Sequence, residues 1–345
     1  MGVIMKIQIT IKNTIIVTTA IILLLHIPLF GNGINVKEIS VKIEEFPKIN
    51  ISHSRLYPGS TDSIKLENID LKFQKIKEIP GVTIRYKFVL DNTTWYFSHK
   101  GEIYKQEIVK KKQAYYASSI EGIPRINSVL KVGKVLYIAA GFIGYESGDI
   151  KGGFYFIENN VLYRFKNSNT KYVYTLKLIE NTIWYGAYDC IGIYSIETKK
   201  LKEYKFRNVF SAWNIEYIDD KVWIGTTDNF KDIDGVLITC SFTEDNKCKW
   251  ESFIFTDASQ GHGVLGGIRD IIYDEDNIYI SRGDWASHNN LLFWDRKNKA
   301  WKWILFDGHG FGISSISLKD NSIIIGLEVA TFSYIFGEDK MTKLR

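Results

Sequence analysis

Short apolar runs alternate with polar turns along most of this chain, and one pattern recurs. Its clearest copy is Asp219-Asp220-Lys221-Val222-Trp223-Ile224-Gly225-Thr226. A near-match is Glu180-Asn181-Thr182-Ile183-Trp184-Tyr185-Gly186-Ala187, and weaker copies lie at 92–96, 133–139, 276–281 and 321–326. Each is a polar turn followed by a short strand with a large anchor: Trp95, Tyr137, Trp184, Trp223, Tyr279 and Ile324. The residue after the anchor is apolar, and the next is small in Ala139, Gly186, Gly225, Ser281 and Gly326, with Phe97 the exception. A large anchor fills the gap between stacked layers, and a small neighbour lets the next layer approach.

Successive anchors are 39 to 56 residues apart. Each is preceded by a strand-like run, at 83–90, 126–132, 172–179, 214–218, 268–273 and 313–318. A third run follows at 102–106, 154–158, 192–197, 236–242, 291–295 and 331–336, and a fourth at 115–118, 162–165, 201–206, 249–255, 301–306 and 341–344. Four antiparallel strands at a period of about 45 residues predict a β-propeller blade. Helical repeats of similar period would show apolar positions at i, i+3 and i+4, and that pattern is absent. The fold expected is all-β: six four-stranded blades over 81–345, with seven as the alternative. Residues 34–80 are less regular, punctuated by Pro47, Pro58 and Pro80, and read as a lead-in with strands that pair with the end of the chain.

The run Gly122-Ile123-Pro124-Arg125-Ile126-Asn127-Ser128-Val129, leading into Val135-Leu136-Tyr137-Ile138, resembles the repeat of the two-component-regulator propellers. So does Asn214-Ile215-Glu216-Tyr217 leading into Val222-Trp223-Ile224-Gly225-Thr226. The resemblance implies the propeller fold and an extracytoplasmic binding role. It does not extend to a membrane span or kinase after residue 345.

Composition places the chain in a compartment. Lys6 and Lys12 precede an uncharged run over 14–30, and Gly31 and Gly33 supply small residues for cleavage. Residues 1–33 therefore read as a secretory signal, with an uncleaved N-terminal anchor as the alternative because the run of about 17 residues approaches the length of a bilayer span. The expected location is secreted or periplasmic, with no membrane contact beyond that anchor. Without 1–33 the formal charge falls from +5 to about +3, which is not the balance of a nucleic-acid binder. Lys110-Lys111-Lys112 reads as a solvated hairpin. Cys240 and Cys248 flank a turn and could form a disulfide if their strands pair; two reduced, half-buried thiols are the alternative.

In a propeller the second-to-third-strand loops and the interblade loops share one face. The long loops of this chain, at 141–152, 227–234, 282–290, 256–267 and 307–312, all fall there. They bring candidate ligand-binding residues: Glu146 and Asp149; Asp228, Asp232 and Asp234; Arg282, Asp284, Trp285 and His288; His262 and His309. Arg125 and Trp213 precede inner strands on the same face. The reading is a face that binds a polar ligand, a glycan, a peptide or a surface protein. Trp285 would stack on a sugar ring and carboxylates would accept its hydroxyl protons. No cofactor is evident, though calcium would suit the acids at 228, 232 and 234, which lack the full ligand spacing of a calcium loop. Gly261-His262-Gly263 and Gly308-His309-Gly310 sit at matching places and leave open a second reading, a glycan-directed hydrolase or lyase; a structural module of a surface assembly is the third. No nucleophile or phosphate-binding motif is present. A monomer is expected.

Overall fold

The computed structural model describes residues 38–45, 49–53, 56–58, 64–80, 84–98, 100–109, 111–119, 125–141, 152–166, 172–207, 210–228, 236–243, 247–255, 267–282, 290–306, 313–327, 330–336, 338 and 340–344. Among them there are strands and turns and no helix. Five strands come first: β1 (Glu38–Glu45), β2 (Ile49–His53), β3 (Leu56–Pro58), β4 (Lys65–Ile69) and β5 (Gln74–Ile76). Six blades follow. Blade 1 is β6 (Ile84–Leu90), β7 (Thr93–Ser98), β8 (Glu102–Val109) and β9 (Lys112–Ser119). Blade 2 is β10 (Ile126–Val132), β11 (Val135–Ala140), β12 (Gly153–Glu158) and β13 (Val161–Lys166). Blade 3 is β14 (Val173–Ile179), β15 (Thr182–Ala187), β16 (Cys190–Ser195) and β17 (Leu201–Phe206). Blade 4 is β18 (Phe210–Ile218), β19 (Lys221–Asp228), β20 (Leu237–Phe242) and β21 (Cys248–Phe255). Blade 5 is β22 (Ile268–Tyr273), β23 (Asn277–Arg282), β24 (Asn290–Asp295) and β25 (Ala300–Phe306). Blade 6 is β26 (Ile313–Lys319), β27 (Ser322–Leu327), β28 (Thr331–Ile335) and β29 (Lys340–Lys343). Every blade is an antiparallel meander, so the chain is an all-β, six-bladed propeller.

The polar turn that opens each repeat is a tight hairpin. Asp219 and Asp220 both have positive φ, 52° and 57°, as required of a two-residue turn whose twist matches its strands. Asn159 and Asn160 do the same between β12 and β13, and Lys111 turns the lysine-rich hairpin of blade 1.

The anchor and its neighbour point to opposite faces of the blade, because side chains alternate along a strand. Trp184 packs toward blade 4 with Val222, Ile224 and Trp250. The next residue, Tyr185, packs toward blade 2 with Tyr137 and Phe154. The small residue beyond is set by close approach: a Cβ on Gly186 would lie 2.5 Å from the Ala212 carbonyl oxygen of blade 4, and one on Gly225 would lie 2.5 Å from Ile268 of blade 5.

Five apolar clusters result, one at each junction from blade 1/2 to blade 5/6. The sixth junction differs. Ile324, the anchor that blade 6 turns toward blade 1, is only partly buried, as is Tyr96, the blade 1 residue that would meet it. Arg85, Lys87 and Val89 of β6 and Ser315 and Ser317 of β26 are exposed. Among the described residues no apolar cluster joins these two blades.

The residues before the blades form a strap. β5 adds a fifth, outermost strand to blade 1, β4 to blade 2, β3 to blade 3 and β2 to blade 4. β1 serves two blades: Glu38–Ser40 pairs with β29, and Val41–Glu45 with β25. The chain thus runs once round the rim from blade 6 to blade 1, then returns through the blades in the opposite sense. Pairing with the chain end is present at β29, but it is one contact of a strap that reaches all six blades. These strands build no seventh blade.

Candidate functional site

In all six blades the inner strand begins with a register shift against its neighbour: Ile84/Tyr86, Ile126/Ser128, Val173/Thr175, Ala212/Asn214, Ile268/Ile271 and Ile313/Ser315. A bulge of this kind re-aims the extra side chain. Among the described side chains, those so placed are Arg85, Asn127, Tyr174, Trp213 and Arg269 with Asp270. They form a ring on the face that carries the second-to-third-strand and interblade loops.

Contacts run round this ring from blade to blade. The Tyr86 hydroxyl donates to the Asn127 carbonyl of blade 2. Asn127 Nδ2 donates to the Gly141 carbonyl at 2.6 Å and to the Val173 carbonyl of blade 3 at 2.7 Å. Tyr174 stacks on Trp213 of blade 4 with centroids 4.3 Å apart and planes inclined 11°. The Arg269 guanidinium of blade 5 lies 5.8 Å from the Trp213 ring centroid. Asp270 Oδ2 accepts from the Ile316 N–H of blade 6 at 3.1 Å, and the Asp270 N–H donates to Ser281 Oγ at 2.8 Å.

Two sectors carry distinct chemistry. At blades 1 and 2, Arg85 lies over the Tyr86 ring at 5.4 Å and close enough to Arg125 for the two cations to repel. Burial, and then Arg85, lower the Arg125 pKa; burial raises that of Tyr86 against the pull of both arginines. At blades 3 and 4 an aromatic cluster lies near the Asp189 carboxyl. Tyr172 and Tyr188 meet edge to face at 5.9 Å, and Trp213 is fixed by its Nε1–H donating to Thr227 Oγ1 at 2.7 Å. Burial raises the Asp189 carboxyl pKa, opposed by Lys205 and reinforced by Glu203. Burial also pushes the Tyr174 phenol well above its ordinary value. Asp270 is raised by burial and pulled back by the Ile316 N–H and Arg269.

Of the residues singled out from sequence, Trp213 belongs to this ring, and Arg125 lies just before its blade 2 member Asn127. Asp228 ends β19 opposite Phe210 and Arg282 ends β23 opposite Ile268, so both backbones reach the same rim. Glu146, Asp149, Asp232, Asp234, His262, Asp284, Trp285, His288 and His309 lie outside the described residues, and with them most of the acids read as calcium ligands. Among the described residues no three His, Cys, Asp or Glu side chains are grouped as a metal would need. Residues 1–33 are also outside them, and no described helix is long and apolar enough to cross a membrane. Cys240 and Cys248 are thiols and are not joined.

Sequence reasoning passed over Tyr174, Tyr188, Asp189 and Arg269. Their signal was positional: each lies at the first turn of an inner strand or just after the small residue of the repeat.

No family model matches the sequence, and no curated protein matches it. Among solved structures the chain is similar to the extracellular domain of a hybrid two-component system from B. thetaiotaomicron, with 16% identity and a TM-score of 0.48, over 80% of this chain and 34% of that one. The chain thus spans about a third of that protein's crystallised length. It is also similar to a chain of the mitotic checkpoint complex, with 11% identity and a TM-score of 0.49, over 79% of this chain and 80% of that one. The WD40 domain of Neurospora crassa Pan2 gives 11% identity and a TM-score of 0.44, over 71% and 72%.

Proposed function

We propose that this chain is an extracytoplasmic binding module that takes an acidic glycan on the face where its inner strands begin. The observation that carries the reading is the stack of Tyr174, Trp213 and Arg269, built from three successive blades at three bulged positions. An aromatic ledge beside a guanidinium suits a sugar ring that bears a carboxylate or sulfate: the ring's C–H groups pack on aromatic surface and the anion meets the cation. Arg85 and Arg125 extend positive charge round the same rim, and Asp189 stands ready to accept sugar hydroxyls. A rigid propeller holds these groups in place, so little ordering free energy is lost on binding. The apolar run of residues 14–30 supports export.

The test is a glycan array that includes neutral and acidic saccharides, probed with the wild-type chain and with Trp213→Ala. Acidic glycans retained by the wild type and lost by the variant are expected. Equal retention by both proteins, or a preference for neutral glycans, would contradict the assignment.

A further inference from the structure

Cys240 lies within β20 and Cys248 opens β21. Their strands pair with Cys240 opposite Trp250 and Phe242 opposite Cys248. With a two-residue alternation all four side chains share one face, the face turned toward blade 3, and the cysteines are diagonal neighbours on it. Cys240 is fully buried in the blade 3/4 cluster, while Cys248 is partly exposed at its edge.

Their surroundings make the two thiols unequal. Cys240 donates its S–H to the Cys248 sulfur, which raises the Cys240 pKa and lowers that of Cys248. The Lys202 ammonium of β17 favours the Cys248 thiolate further. Tyr204 of the same strand lies beside both sulfurs. A thiolate reacts where it is stabilised and accessible, and both conditions meet at Cys248.

We propose that Cys240 and Cys248 are a redox pair in which Cys248 attacks an incoming disulfide and Cys240 resolves it, closing a reversible clasp across the β20–β21 hairpin. The step balances as thiol–disulfide exchange. The Cys248 thiolate attacks one sulfur of a small-molecule disulfide and expels a thiolate, leaving a mixed disulfide on Cys248. Cys240 then gives up its proton to that thiolate and attacks the Cys248 sulfur, expelling the second. The protein is oxidised by two electrons, and the small disulfide is reduced to two thiols. This pair is independent of the ligand face.

The experiment treats the folded full chain with a small aromatic disulfide and follows released thiolate and protein mass. The wild type should release about two thiolates per chain, retain no adduct, end about 2 Da lighter, and give a 240–248 crosslink on non-reducing peptide mapping that dithiothreitol reverses. Cys240→Ser should release about one and keep a stable adduct on Cys248. A wild type that keeps an adduct on Cys248, or that stays unmodified while folded, overturns the proposal, and either result is read on the unsubstituted protein.

Discussion

At the scale of single residues, blade 3 shows how a buried polar group is received by its neighbour. Tyr185, Gly192 and Glu203 sit opposite one another across β15, β16 and β17. The Tyr185 ring lies across the middle strand, where a Cβ on Gly192 would come within 1.9 Å of it, and its hydroxyl donates to Glu203 Oε1 at 2.6 Å. Glycine is present because the ring occupies the place of a side chain. Tyr185→Phe withdraws a donor from a carboxylate that is 1% exposed and should cost about 1–3 kcal/mol by urea unfolding at pH 7. Asp189 should behave in the opposite sense. Its folded-state pKa is raised by burial, so its ionised form is disfavoured in the folded protein at neutral pH. That penalty vanishes below about pH 4, where the group is protonated in both states. Asp189→Asn should therefore be at least as stable as wild type at pH 7 and lose any advantage by about pH 3.5, measured as unfolding midpoints across that range.

At the scale of strands and blades, much was legible in the sequence, because anchor, companion and small residue each answer a packing need that repeats. Trp184 fills a gap, Tyr185 fills the gap on the other side, and Gly186 admits Ala212. The strap was harder to read. β4 alternates only weakly between exposed and partly buried positions, since an outermost strand is held by backbone pairing more than by an apolar face. The bulge ring was hidden for a related reason: one inserted residue per inner strand leaves no mark in composition and emerges only from register. The apolar clusters also rank the junctions. Trp184→Ala removes a fully buried indole from the blade 3/4 core and should cost about 3–5 kcal/mol. Ile324→Ala, at the equivalent position facing blade 1, removes a partly exposed side chain and should cost less than about 2 kcal/mol. Equal losses in chemical denaturation would mean that the sixth junction is packed like the others.

At the scale of the whole molecule, two sets of contacts hold the blades together. Interblade cores join blades 1 through 6, and the strap binds the rim, with β1 tying blade 5 to blade 6 and to the end of the chain. Between blades 6 and 1 no apolar cluster is found among the described residues, and Lys87 and Val89 on the blade 1 side are exposed. The two ends of the propeller also differ. The end where inner strands begin carries bulges, arginines and stacked aromatics; the other carries tight hairpins such as Asp219-Asp220. Function assigned to the first end makes a directional claim. Its most direct test is calorimetric titration of an acidic glycan selected on the array against three proteins: wild type, Arg269→Gln on the bulge ring, and Tyr273→Ser at the opposite end of the same strand. Arg269→Gln should weaken binding by about tenfold or more, the loss expected when a charge-assisted hydrogen bond is removed, while Tyr273→Ser should leave it unchanged. Undiminished affinity in Arg269→Gln, or a loss confined to Tyr273→Ser, would contradict the account.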